Sequence, residues 1–126
     1  MDYLQSDYGY NNELGQFFIP KIMQQQSRFK ACKDDLVTLV KFEVEDGCIV
    51  LSYHDTVTRE EHREMQESKP REIRAIDEFG RVVLLKEHRE KLKISPNDAL
   101  VSYLLSDDTI KLRTLAIKNS DLVETA

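Results

Sequence analysis

The stretch "IDEFGRVVLLKEHREKL", Ile76 to Leu92, sets a turn, an apolar strand and a polar helix in a row, and "NNELGQFFIPKIMQQQS", Asn11 to Ser27, writes the same order earlier in the chain. With Gly15 laid on Gly80, Asn12-Glu13-Leu14 meets Asp77-Glu78-Phe79. Phe17-Phe18-Ile19 then meets Val82-Val83-Leu84, and Lys21 meets Lys86. Further on, with small insertions, Asp34 meets Asp98 and Leu36-Val37-Thr38 meets Leu100-Val101-Ser102. Ile49-Val50-Leu51 then meets Ile110-Lys111-Leu112. The order and the compact gaps point to a duplication, which changes the meaning of every other segment.

Each copy reads as strand, turn, strand, short helix, strand, turn, strand, so the expected fold class is mainly β with short helices. In the second copy Glu72–Ile76 reads as a strand, Asp77-Glu78-Phe79-Gly80 as a tight turn whose glycine takes positive φ, and Arg81–Leu84 as the return strand. Lys86–Lys93 reads as one or two helical turns, ended at "SPND" by Pro96. Leu100–Leu105 and Ile110–Leu115 form a second hairpin across "SDDT". In the first copy Pro20 suits a first helical position and Asp46-Gly47 a hairpin turn. The charged stretch from Asp55 to Pro70 reads as a connector, with Thr58 and Glu61 as a capping box. The organisation is therefore residues 1–54, a degenerate copy; 55–70, a charged linker; 71–117, a second copy; and 118–126, a tail. A copy of this size buries too little apolar surface to fold alone, so the two must share a core.

The chain has 126 residues, 40% hydrophobic and 33% charged, which fits a globular domain. No run is apolar enough for a membrane span, and the start "DYLQSDYGY" lacks the features of a secretory signal, so the expected location is cytoplasmic. Cys32 and Cys48 lack C-x-x-C spacing and read as reduced, buried small hydrophobes. The net charge is −5, but it is uneven: Lys69–Lys93 holds eight basic residues against five acidic ones. His54, His62 and His88 are too scattered for a metal site. The carboxylates at Glu60, Glu61, Glu64 and Glu67 come with no nucleophile or phosphate loop, so no cofactor, metal or catalytic role is expected. Tyr3, Tyr8 and Tyr10 read as packing on the fold, and Gln16, Gln24, Gln25 and Gln26 as solvated.

Arg71 to Leu115 resembles the AbrB/SpoVT family of bacterial transition-state regulators. The residues that carry the resemblance are Arg74, Asp77-Glu78-Phe79-Gly80-Arg81-Val82-Val83-Leu84, Arg89, Leu92, Ile94 and Asp98-Ala99-Leu100. Asn11–Tyr53 matches as a degenerate relative through Glu13, Leu14, Gly15, Ile19, Pro20 and Asp34. The resemblance implies a swapped-hairpin (AbrB-like) β-barrel made by an obligate pair of copies: either the tandem copies pair as a pseudo-dimer within one chain, the arrangement preferred here, or like copies pair between chains. It also implies a transcription regulator that grips double-stranded DNA through Arg74, Arg81 and Arg89, with Lys86 beside them. Departures are Glu90 where the family often has a second helix arginine, and Leu85 where it has proline. The first copy has Gly9, Gln16, Gln24 and Gln25 at the corresponding contact positions, so it is expected to add little charge.

The residues give their own reason for the site: guanidinium forks bind phosphate bidentately and stay charged at any cellular pH. If Arg74 and Arg81 paired across one hairpin, both would face successive phosphates. Such contacts position a duplex without reading its sequence. One basic face per chain implies further association, a homo-oligomer such as a dimer, to read a two-fold operator. The rival reading is a protein partner, as in a MazE-like antitoxin or an assembly module with weak DNA affinity.

Overall fold

The computed structural model describes residues 3–115, with backbone alone for Tyr3 and Leu4. The tail expected at Lys118–Ala126 and the packing expected of Tyr3 lie outside the described residues. The elements are β1 (Tyr3–Tyr10), β2 (Gln16–Phe18), α1 (Lys21–Gln26), β3 (Leu36–Glu45), β4 (Cys48–Thr58) and α2 (Arg59–Glu64), then β5 (Ile73–Ala75), β6 (Arg81–Val83), α3 (Lys86–Lys91), β7 (Ala99–Leu105) and β8 (Thr109–Thr114). The chain is thus mainly β with short helices. Among the described residues no helix is long and apolar enough to cross a membrane.

Six strands form an antiparallel sheet in the order β1-β7-β8-β4-β3-β5, and β2 and β6 form a separate two-stranded ribbon. Here the expected hairpin between Glu72–Ile76 and Arg81–Leu84 does not form as a ladder. Arg74 of β5 pairs with Val40 of β3, and Arg81 of β6 pairs with Phe18 of β2. Only the turn is closed, by Asp77 N–H donating to Arg81 C=O at 2.9 Å. A hairpin of three-residue strands is marginal on its own, so each short strand takes its ladder from the other half of the chain.

Every pairing has a counterpart with the halves exchanged. β1 lies on β7 as β5 lies on β3, and the β3–β4 and β7–β8 hairpins meet at β4–β8. Ile49 faces Leu112 while Leu51 faces Ile110, and Phe17 faces Val82 at the middle of the ribbon. The third strand departs from the sequence alignment. Gly9 faces Leu100 and Arg74 faces Val40, which makes Val40, not Leu36, the counterpart of Leu100. The cause is a longer first-copy hairpin: Leu36–Leu39 pairs with Asp55–Thr58, and the register breaks between Leu39 and Val40. Asp55–Thr58 is therefore strand, and the connector begins only at α2.

The core is common to both halves. One cluster joins Phe17, Ile19, Met23, Phe29, Phe42, Ile49 and Leu51 to Ile76, Val82, Leu84, Leu100, Leu104, Ile110 and Leu112. A smaller one, Val37, Leu39 and Ile73, sits with Met65 packed against it. Cys32 and Cys48 are free thiols but only half-buried, and Tyr8 and Tyr10 are 66% and 67% exposed rather than packed. Both follow from edge position: β1 is the outermost strand, and Cys48 starts a strand at a turn.

Local rules set the ends of the elements. Thr58 Oγ1 accepts from Glu61 N–H at 3.1 Å while Glu61 Oε1 accepts from Thr58 N–H at 2.8 Å, completing the capping box that starts α2. Pro20 is the residue before α1 rather than its first residue, and Leu85 stands before α3 at φ −65° and ψ 139°, close to Pro20 at −54° and 138°. Leucine thus holds a proline-like backbone without the ring. α3 ends before Pro96 acts: Lys93 adopts φ 57°, and Ile94 N–H closes back on Arg89 C=O at 2.8 Å. Asp46 and Gly47, at φ 50° and 77°, make the β3–β4 turn with both residues left-handed.

Two glycine substitutions separate backbone cost from contact cost. A Cβ at Gly47 meets nothing within 4 Å, so Gly47→Ala should cost only the left-handed penalty, about 1–2 kcal/mol. Gly80, at φ 82°, has the Gln24 amide directly over it, and that amide donates to Ile19 C=O at 2.8 Å and accepts from Ala31 N–H at 3.2 Å. Gly80→Ala should therefore cost about 1 kcal/mol more in urea unfolding. Equal losses in the two variants would mean that Gln24 moves aside freely.

Candidate nucleic-acid interface

The site is built on the β2–β6 ribbon and the two helices that follow its strands. Ile19 N–H donates to Gly80 C=O at 2.9 Å, and Leu84 N–H donates to Gly15 C=O at 2.8 Å, so each strand ends on the other copy's turn. Over those turns lie helix side chains, again exchanged. Arg89 of α3 has its guanidinium over Gly15, where an added Cβ would stand 2.8 Å from Cζ, and Gln24 of α1 covers Gly80. Arg89 Nε donates to Leu84 C=O at 3.3 Å as Gln24 Nε2 does to Ile19 C=O. Arg89 is thereby half-buried and fixed in direction.

The turns themselves are two chemical versions of one design. In the second copy Asp77 Oδ1 accepts from Phe79 N–H at 2.9 Å and Arg81 N–H at 2.8 Å, and Asp77 Oδ2 pairs with Arg81 Nε at 2.5 Å. In the first, Asn12 Oδ1 accepts from Leu14 N–H and Gln16 N–H, both at 3.0 Å, and Asn12 Nδ2 donates to Gln16 Oε1 at 2.9 Å. An amide pair stands where the second copy has an ion pair. At Gly9, which faces Leu100 as Arg74 faces Val40, a Cβ would lie 2.7 Å from the Phe17 ring, so a larger residue needs that ring to shift.

The expected site residues are only partly convergent. Arg81 and Arg89 border the same ribbon, but Arg81 is at the Phe18 end and Arg89 at the Gly15 turn. Arg74 is on β5 at the edge of the large sheet, with Nε donating to Arg71 C=O at 2.9 Å, so it does not pair across a hairpin with Arg81. Lys86 is exposed at the first position of α3. The Arg81 guanidinium also lies 4.8 Å from the Phe79 ring centre and 5.7 Å from that of Phe18. A cation held this way keeps its charge while its stem is packed.

Charge near the site is mixed. Burial opposes ionisation of Asp77, but hydrogen bonds from the Arg81 backbone and side chain and from Phe79, with the Arg81 charge, outweigh it and hold the carboxyl below its ordinary range. Burial pushes His88 down and Lys91 adds to it, while Glu87 and Glu72 act against the shift. His62 is lowered by burial and by Lys69, and His54 is exposed. Among the described residues no group of three or more His, Cys, Asp or Glu side chains is placed to hold a metal ion.

What the residue patterns did not disclose is the apolar character of the same face. Leu14, Phe18, Phe79 and Val83 are exposed at 73%, 48%, 64% and 38%. Tyr8, Tyr10, Phe18 and Phe79 border a surface cleft of about 770 Å³. The alternation along the ribbon, with Phe17 and Val82 inward, could have signalled that Phe18 and Val83 point out. No protein-family model matches the chain, and no curated protein does.

The Asp77 turn makes a pH-dependent claim. A carboxyl held below its unfolded value adds stability that is present above that value and lost as pH falls through the folded one. Asp77→Asn keeps an Oδ1 acceptor, as Asn12 has, and loses the ion pair together with the hydrogen bond that Oδ2 accepts from Arg81 Nε. It should cost less than about 1 kcal/mol at neutral pH. The gap from wild type should close as pH drops below about 3.9, the ordinary aspartate value. A gap that persists in acid, measured by urea unfolding across pH, would contradict the ion-pair account.

Proposed function

We propose that this chain is a cytoplasmic, non-catalytic transcription regulator of the AbrB/SpoVT type. Its two tandem copies form within one chain the swapped-hairpin barrel that the family makes by pairing two domains. Arg81, Arg89, Arg74 and Lys86 grip double-stranded DNA. The observation that carries this reading is the reciprocal closure of the ribbon, Ile19 on Gly80 and Leu84 on Gly15, with the helix side chains exchanged over the turns. That exchange is what interleaved hairpins require, and it borders one ribbon with arginine at both ends.

The same geometry predicts weak binding by a single chain. The first copy presents Gln16 and Gln24 where the second presents Arg81 and Arg89, so the pseudo-dimer offers half of the guanidinium contacts of a symmetric pair. Association of chains, most simply as a dimer, would supply the second half-site.

A second reading has its own observation. Exposed Leu14, Phe18, Phe79 and Val83 on the ribbon suit a protein partner better than a phosphate backbone. It would make the chain an assembly module or a MazE-like antitoxin with DNA binding subordinate.

Fluorescence anisotropy with duplex DNA between about 50 and 200 mM salt separates the two. Affinity should fall with salt, and Arg81→Ala and Arg89→Ala should each flatten the slope by about 0.9. Wild-type slope in both variants would remove these arginines from the contact, and absence of binding at the lowest salt would leave the protein-partner reading.

A further inference from the structure

We infer that the duplex-binding surface is composite: Lys21, Lys30 and Lys33 of the first copy supply phosphate contacts beside the Arg81 turn of the second. This rests on the DNA-binding reading and assigns to the first copy a part of the contact that its turn residues alone do not suggest. From Leu14 to Lys33 the chain has four basic residues, Lys21, Arg28, Lys30 and Lys33, and no carboxylate. The corresponding run of the second copy, Phe79 to Asn97, has five basic residues interrupted by Glu87 and Glu90, and both runs are followed by an aspartate, Asp34 and Asp98. The longest acid-free cationic run of the pair is therefore in the copy with fewer arginines.

The fold straps that run to the Arg81 turn. Cys32 N–H donates to Asp77 C=O at 3.0 Å, and the Gln24 amide lies on Gly80, so the α1–β3 loop and α1 both seat on residues 77–80. Lys21, Gln24, Gln25, Lys30 and Lys33 line one surface cleft of about 400 Å³, with Glu78 as its carboxylate. Lys30 and Lys33 also line an adjoining cleft with Arg28 and Asp34.

The cations differ in availability. Arg28 is engaged as Arg81 is, in an ion pair and a ring contact, with Nε 2.8 Å from Asp108 Oδ2 and its guanidinium 4.1 Å from the Tyr53 ring centre. Lys30 gives one proton to Gln24 C=O at 2.6 Å and has two other donors. Lys21 and Lys33 are exposed on long stems that reach outward. Glu78 and Asp34 face the same clefts and temper the potential. The surface therefore suits a polyanion with several negative charges, which more than one lysine can engage at once.

The test is anisotropy of the full chain with a labelled mixed-sequence duplex of about 30 base pairs, across the salt range in which counterion release is resolved. Lys21→Gln with Lys33→Gln removes two charges and, among the described residues, touches no hydrogen bond made by either side chain. It should flatten the slope by about 1.8, and adding Lys30→Gln by about 0.9 more. Lys41→Gln with Lys111→Gln, which removes two charges from the large sheet, should leave the slope unchanged. Should the Lys30 variant unfold, the double variant alone decides. A double variant with wild-type slope, while Arg81→Gln flattens it, overturns the composite surface and leaves the DNA reading intact. Equal flattening by the Lys41/Lys111 pair overturns it as a net-charge effect. A wild type that ignores the duplex at low salt overturns both.

Discussion

The rest of the structure depends on two backbone hydrogen bonds that cross between the halves of the chain, from Ile19 to Gly80 and from Leu84 to Gly15. Each can form only if the partner's turn residue brings its carbonyl close and leaves room for the next helix's side chain. Glycine meets both conditions, at φ 77° and 82°. Once the turns are seated, Phe17 and Val82 are forced together at the centre, and the third strand of each half is left beside the first strand of the other. Neither half has a complete ladder without its partner, so folding is a property of the pair.

Because that constraint lies in the backbone and in apolar side chains, the polar groups around it are free to diverge. Asp77 with Arg81 and Asn12 with Gln16 close the same turn through the same backbone acceptor, one with charge and one without. Arg89 and Gln24 occupy the same place over a glycine and make the same bond to a strand-end carbonyl. The two versions close the same turn with the same backbone acceptor, so the exchange alters the charge at the turn without altering its backbone hydrogen bonds.

What could be read from the residues alone was what local chemistry decides. The Asp46-Gly47 turn and the Thr58 capping box stand in the fold because each is settled within a few residues. Three features needed the other half of the chain and so stayed hidden. The register of β3 depends on how far β4 runs; Arg74 and Arg81 part because their strands have different partners; and Tyr8 and Tyr10 are exposed because nothing among the described residues covers β1. For the residues expected at the site, the directions could not be read, since Arg89 lies over a glycine far away in the chain.

The edges of the large sheet bear on how chains would associate. Ser102 Oγ donates to Asp7 C=O at 3.2 Å, which turns Asp7 toward β7 and leaves its neighbours Ser6 and Tyr8 toward the open side of β1. There Asp7 Oδ1 accepts from Tyr8 N–H at 2.8 Å, and Gln5 Nε2 donates to Ser6 C=O at 3.3 Å. The strand's own side chains thus occupy the groups that a second strand would use. β5, at the other edge, is three residues long and is preceded by Pro70 and Arg71. Both are devices that discourage sheet-to-sheet extension. Association through side chains on the ribbon face, where apolar groups are exposed, conflicts less with the structure than association through the backbone. It would also set protein contacts and phosphate contacts in competition for the same few residues.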